Sequence, residues 1–221
     1  MNNNNHITFL FLLCIFFLFL YFFIKSKCYG IYPYVDGKEI VSLEYFLQNA
    51  RTGDLLFLSG KTHGENIIKW YTECPFSHIG LLISTDNQIY IWESDIGQQS
   101  KDGCRIINLE NKLEKWKGYK IAAWKRLISD TSEEIDEKDL LTTINKHIDK
   151  TIDSSCLSYF FNTCKKEKEV FCSELIALSL QDLNIISGKR NACTFSPETF
   201  LNNKISYNNG FSYSNTKYFY F

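Results

Sequence analysis

Two β-rich runs, Ser77 to Ser84 (SHIGLLIS) and Gln88 to Ser94 (QIYIWES), flank Asp86-Asn87 and constrain the fold more than any other part of the chain. Asx residues tolerate the positive φ values of a two-residue type I′ turn, so the runs predict an antiparallel hairpin. With Thr85 opposite Gln88, His78 falls opposite Asp95. Glu93, two residues back along the same strand, then points to the same face. The hairpin thus predicts an imidazole beside one or two carboxylates. A slip of one residue would turn Glu93 to the other face.

The second informative stretch is Val170 to Asn184, VFCSELIALSLQDLN. Its apolar residues recur at i, i+3 and i+4, through Phe171, Leu175, Ile176, Leu178, Leu180 and Leu183, as on one buried face of a helix. Cys172 then lies in the first turn, where unpaired backbone N–H groups and the helix dipole favour negative charge on the sulfur. Cysteine is also among the most buried residue types, so an inert core thiol is the competing reading. A partner base decides between them. Of the four histidines, His6 precedes an apolar run, His63 sits in a polar loop, and His147 complements the end of a charged helix. His78 alone opens an apolar strand with a carboxylate expected on its face.

Ile7 to Ile24 is apolar and uncharged over 18 residues, followed by Lys25 and Lys27. About 20 residues usually cross a bilayer core, and no basic n-region or small-x-small cleavage site frames this run. It predicts a retained single-pass membrane anchor contacting the lipid bilayer through residues 7–24. The lysines after it place the bulk of the chain on the cytosolic side. The expected organisation is an anchor over 1–27, a tether and lead-in helix over 28–49, and one domain over 50–221.

Within that plan, Glu39 to Asn49 reads as a short amphipathic helix, Leu55 to Leu58 as a strand, and Ile67 to Tyr71 as helical turns. Cys104 to Leu109 and Tyr119 to Leu127 read as strands separated by the charged Glu110 to Lys117. Ser132 to Lys150 reads as a solvent-facing amphipathic helix, followed by a loop through Asp153 to Lys168. Ser196-Pro197-Glu198 opens another helix, and the aromatic tail Lys217 to Phe221 suits an edge strand.

A net charge of −1 carries no basic footprint for nucleic acid. Eight cysteines suggest a disulfide framework, but none are spaced as CxxC, and Cys14 falls in the apolar run, leaving an odd seven. Free thiols are the expectation. No residue cluster calls for a metal or an organic cofactor.

Gly53-Asp54-Leu55-Leu56-Phe57, Ser77-His78-Ile79-Gly80-Leu81, Trp92-Glu93-Ser94, Phe171-Cys172-Ser173-Glu174-Leu175-Ile176 and Ser196-Pro197 together resemble the circularly permuted NlpC-like cysteine hydrolases. These are papain-like proteins of the YiiX/YaeF group, related to the lecithin retinol acyltransferase-like proteins and found also in large DNA viruses. The likeness covers about residues 50 to 200, with histidine before cysteine as in that family. It implies an α+β, permuted papain-like fold in which an antiparallel barrel-like sheet packs on the nucleophile helix. It also implies Cys172 as nucleophile, His78 as base and Glu93 as the orienting acid, with Asp95 in reserve if the hairpin register differs. The backbone N–H of Cys172 would be one oxyanion donor. Cys104 to Lys168 carries no motif that matches.

The function expected is a membrane-anchored thiol hydrolase that cleaves an amide, peptide or acyl-amide, through an acyl-enzyme. Two rival readings stand: a lipid acyltransferase or phospholipase using the same Cys-His site, and a catalytically idle, membrane-tethered binding module.

Overall fold

The computed structural model describes residues 3–29, 35–86, 88–96, 102–116, 118–131, 134–152, 168–208 and 210–221, and on the first helix the side chains of 9–23. In chain order, α1 (Asn3–Tyr29), β1 (Glu39–Ile40), α2 (Leu43–Asn49), β2 (Leu55–Leu58) and α3 (His63–Thr72) lead into β3 (His78–Ser84) and β4 (Ile89–Asp95). Next come β5 (Gly103–Asn108), α4 (Leu109–Lys115), β6 (Ile121–Lys125), β7 (Leu127–Ser129) and α5 (Glu137–His147). The short β8 (Thr151–Ile152) and β9 (Glu169–Val170) precede α6 (Cys172–Asp182), a 3-10 turn (Ala192–Thr194) and α7 (Pro197–Leu201). The chain closes with β10 (Phe211–Tyr213) and β11 (Lys217–Tyr220).

Seven strands form one sheet in the order β1-β11-β6-β2-β3-β4-β5. All neighbours are antiparallel except β1 with β11. It is an open sheet with edges at β1 and β5, not the barrel-like closure expected. β2 is buried along its whole length, LLFL, because it lies at the centre with a layer on either side. The β3–β4 hairpin has the expected register: Leu81 faces Trp92, Ser84 faces Ile89, and the Thr85 N–H donates to Gln88 O at 2.9 Å. Asn87 of the turn lies outside the described residues.

Strand alternation splits the core in two. On one face Leu55, Phe57, Ile79, Leu81, Trp92 and Tyr218 pack under α6 and α7, through Leu175, Ile176, Leu180 and Phe200. On the other, Leu56, Leu58, Leu82, Ile91, Trp124 and Phe219 pack under α2 and α4, through Phe46, Leu109 and Leu113. Each such large apolar side chain contributes about 1.5–3 kcal/mol on leaving water.

Several elements differ from expectation. The helix over Glu39 to Asn49 is instead β1 followed by α2, because Ser42 caps the helix by accepting from Tyr45 N. Thr62 and Glu65 form a capping box, so α3 begins at His63 and takes in residues expected in a loop. α5 begins at Glu137, where Asp136 accepts from Asp139 N. Of the charged stretch, Glu110 to Lys115 forms most of α4. The aromatic tail lies inside the sheet, between β6 and the two-residue β1. The tether around Gly30 and Pro33, and most of the loop through Asp153 to Lys168, lie outside the described residues.

The expected transmembrane helix is a correction. No helix among the described residues is long and apolar enough to cross a membrane. Phe22 of α1 packs against Trp70 of α3, with ring centroids 3.8 Å apart. The single-pass localisation falls with the expected span. The expectation of free thiols also needs amendment: Cys14, Cys74, Cys104 and Cys172 are free, whereas Cys193, in the 3-10 turn, is disulfide-bonded.

Candidate active site

His78 is the first residue of β3, and the chain reaches it through Ser77, whose N–H donates to Leu58 O. Alternation puts its ring on the α4 face of the sheet, with Glu93 and Asp95 of β4 beside it. The His78 Nε2 donates to Glu93 Oε2 at 2.7 Å, and both residues are buried. Glu93 does not serve the histidine alone. Lys112 of α4 sits 2.9 Å from Oε1 and 2.8 Å from Oε2 of Glu93, and 2.7 Å from Asp95 Oδ2. Arg105 of β5 donates through Nε and Nη2 to Glu93 Oε1, and through Nη2 to Asp95 Oδ2 at 3.1 Å. Trp116 covers the group: its ring centroid lies 5.6 Å from that of His78 and 4.7 Å from Lys112 Nζ, while its indole N–H donates to Ser59 O.

Cys172 approaches from the other side. It opens α6, which packs on the opposite face, and its Sγ lies 4.0 Å from the carbonyl oxygen of Ser77. Because β3 begins at His78, the residue after Ser77, the sulfur lies by the end of the strand that carries the imidazole. No side chain caps α6, whose N-cap is Phe171, so the sulfur shares its turn with uncapped backbone amides. Glu174 reaches back toward Phe171 N at 3.4 Å, a structural contact. The helix is held on the sheet by polar anchors within an apolar interface: Trp92 Nε1 donates to Ser179 Oγ, Ser173 Oγ to Phe195 O, and Ser94 Oγ to Val170 O.

Charge sets the protonation. Burial and Lys112 push the His78 imidazole down, but Asp95, Glu93 and the bond to Cys172 outweigh them and raise it to about 10. Burial raises Glu93, and the neighbouring His78 and Lys112 more than reverse this, holding it well below the usual carboxylate range. At neutral pH the pair is therefore imidazolium and carboxylate. Burial pushes the Cys74 and Cys104 thiols up to about 12.

The structure thus brings Cys172, His78, Glu93 and Asp95 into one site, with Asp95 engaged by Lys112 and Arg105. Lys112, Arg105 and Trp116 escaped the sequence reading. Their one signal was the i, i+4 pair Leu109 and Leu113, which marks a buried face inside a charged stretch.

No protein-family model and no curated protein matches the chain. Among solved structures, the metalloprotein YiiX from Escherichia coli O157:H7 superposes with a TM-score of 0.51, at 15% identity, over 74% of this chain and 96% of that one. The chain is YiiX-like in fold. At this identity the likeness concerns architecture, and within the YiiX-like fold the chemistry has to be argued from the residues just described.

Proposed function

We propose that this protein is a cysteine hydrolase acting on amides through Cys172, His78 and Glu93. The observation that carries the reading is the convergence of the three groups: His78 Nε2 lies 2.7 Å from Glu93 Oε2, and the Cys172 Sγ lies 4.0 Å from the carbonyl oxygen of Ser77, the residue before His78. A base fixed from behind by an ionised acid is the arrangement that nucleophilic catalysis requires. Conversely, a structural histidine has no need of a thiol at a helix start.

In this reading the Cys172 sulfur, as thiolate paired with the His78 imidazolium, adds to the amide carbonyl carbon. The resulting oxyanion is met by the Cys172 backbone N–H. His78 passes its proton to the leaving nitrogen, the C–N bond breaks, and an acyl-Cys172 remains. Water then attacks, His78 takes its proton, and the C–S bond breaks to release the acid and restore the thiolate and imidazolium. Glu93 keeps the proton on Nε2 throughout.

The YiiX structure is described as that of a metalloprotein, and among the described residues His78, Glu93 and Asp95 offer ligand atoms within 4.8 Å of one another. They do not fit a metal here. Both carboxylates are already bound by Lys112 and Arg105, so two negative charges meet two positive ones, and the ring nitrogen points at a carboxylate instead of a shared centre. No step of the reaction is routed through an ion.

Alkylation tests the reading. Iodoacetamide should label Cys172 ahead of the buried Cys74 and Cys104, and His78→Ala should slow that labelling together with hydrolysis of acyl-amide substrates, by about 10²–10⁴-fold for the latter. Equal labelling of all the free thiols would sink the proposal. An acyl-Cys172 trapped from phospholipid and not from amides would replace the substrate class.

A further inference from the structure

We propose that Lys112 is the resident cation of this site: its ammonium occupies the position a divalent ion would need, and thereby keeps such ions out of the His78–Glu93–Asp95 cluster. The geometry is that of a bound cation. Lys112 Nζ lies between 2.7 and 2.9 Å from three carboxylate oxygens, both of Glu93 and one of Asp95. Its fourth side is closed by the Trp116 ring at 4.7 Å. A compact ammonium is a point charge that such a ring of oxygens accepts without a preferred plane, much as it would a metal.

Lys112 and Arg105 are not equivalent in this. The Arg105 side chain is 18% exposed and rests on the rim, where it can withdraw into water, whereas that of Lys112 is 5% exposed and enclosed. α4 fixes it there, because Leu109 and Leu113 are buried in the sheet face and Lys112 shares their side of the helix. An ion entering the cluster would have to expel a tethered, buried charge and leave it without a partner. Lys112 is therefore a positioning residue. It straddles Glu93 and leaves Oε2 directed at His78 without help from a dissociable ion.

The proposal takes from the hydrolase reading only the location of the site, and the alkylation of Cys172 tests that reading separately. Equilibrium dialysis of the full chain against Zn²⁺ and Mn²⁺, with Lys112→Met and His78→Gln variants and the double variant, is the deciding experiment. The wild-type chain is expected to bind no ion in a His78-dependent way. Lys112→Met should gain one ion per chain and lose it again in the double variant. Added ion should raise the Tm of Lys112→Met and leave the wild type unmoved, since a ligand of the folded state alone stabilises it. If Lys112→Met does not fold, Lys112→Gln, whose amide keeps a donor for Glu93, takes its place. A His78-dependent ion in the wild type overturns the proposal, and so does the absence of any gain in the lysine variants.

Discussion

His78 holds its proton more tightly in the folded chain than in the unfolded one, and this sets a pH dependence. Its imidazole is raised from 6.5 to about 10, so the associated stability is complete below about 6.5 and drains away as the pH climbs through about 10. Glu93 runs the opposite way: depressed below its ordinary 4.5, it contributes fully above that value and loses its contribution as the pH falls. The pair stabilises the fold most between those ordinary values, 4.5 and 6.5. In urea titrations across the alkaline range, His78→Gln should therefore lose part of the decline in midpoint that the wild type shows. An identical decline in both would mean that His78 titrates alike in the folded and unfolded chains. At this scale, His78 beside Glu93 follows from the alternation of one hairpin and was readable in the sequence. Lys112 and Arg105 were not, because a lysine in a charged run looks like solvated surface until tertiary packing turns its helix inward.

Among the elements, the hairpin leaves no room for an added methyl group at Gly80. A Cβ there would come within 2.4 Å of the Ile91 side chain and 3.2 Å of Trp92 O. Gly80→Ala is expected to cost about 1–3 kcal/mol, as overpacking of a filled core does, read from the urea midpoint. Cys172 alkylation should slow with it, because β3 and β4 carry His78 and Glu93. A change in neither measurement would mean that Ile91 rotates away without strain. The hairpin and α6 were readable because their periods, two and three to four residues, are written locally. The apolar run of α1 was misjudged by the same rule. Period and hydropathy alone extended it to a full membrane span, whereas no helix among the described residues is long and apolar enough to cross a membrane, and Phe22 packs against Trp70.

For the whole molecule, the sheet depends on its last strand. β11 enters between β1 and β6 and delivers Tyr218 to one face and Phe219 to the other. Phe219 stacks on Phe46 of α2 at 4.1 Å, and β11 pairs with β1, so the last strand is tied to the segment that leads into β2. Phe219→Ala should cost about 3–5 kcal/mol in urea unfolding, the range for a fully buried aromatic ring. A loss within the noise of a surface substitution would mean that the strand is dispensable. Strand order of this kind is not written in any local stretch, since KYFYF fits an edge or an interior equally well. It is decided by which gap in the sheet the preceding chain leaves open.

Trp116 lies over the ring of His78 and the ammonium of Lys112 together, its own N–H tied to Ser59. An indole in that position is a chromophore placed against two positively charged groups of the candidate site. The part of the emission that Trp116→Phe removes from the four-tryptophan protein is expected to change as the imidazole releases its proton.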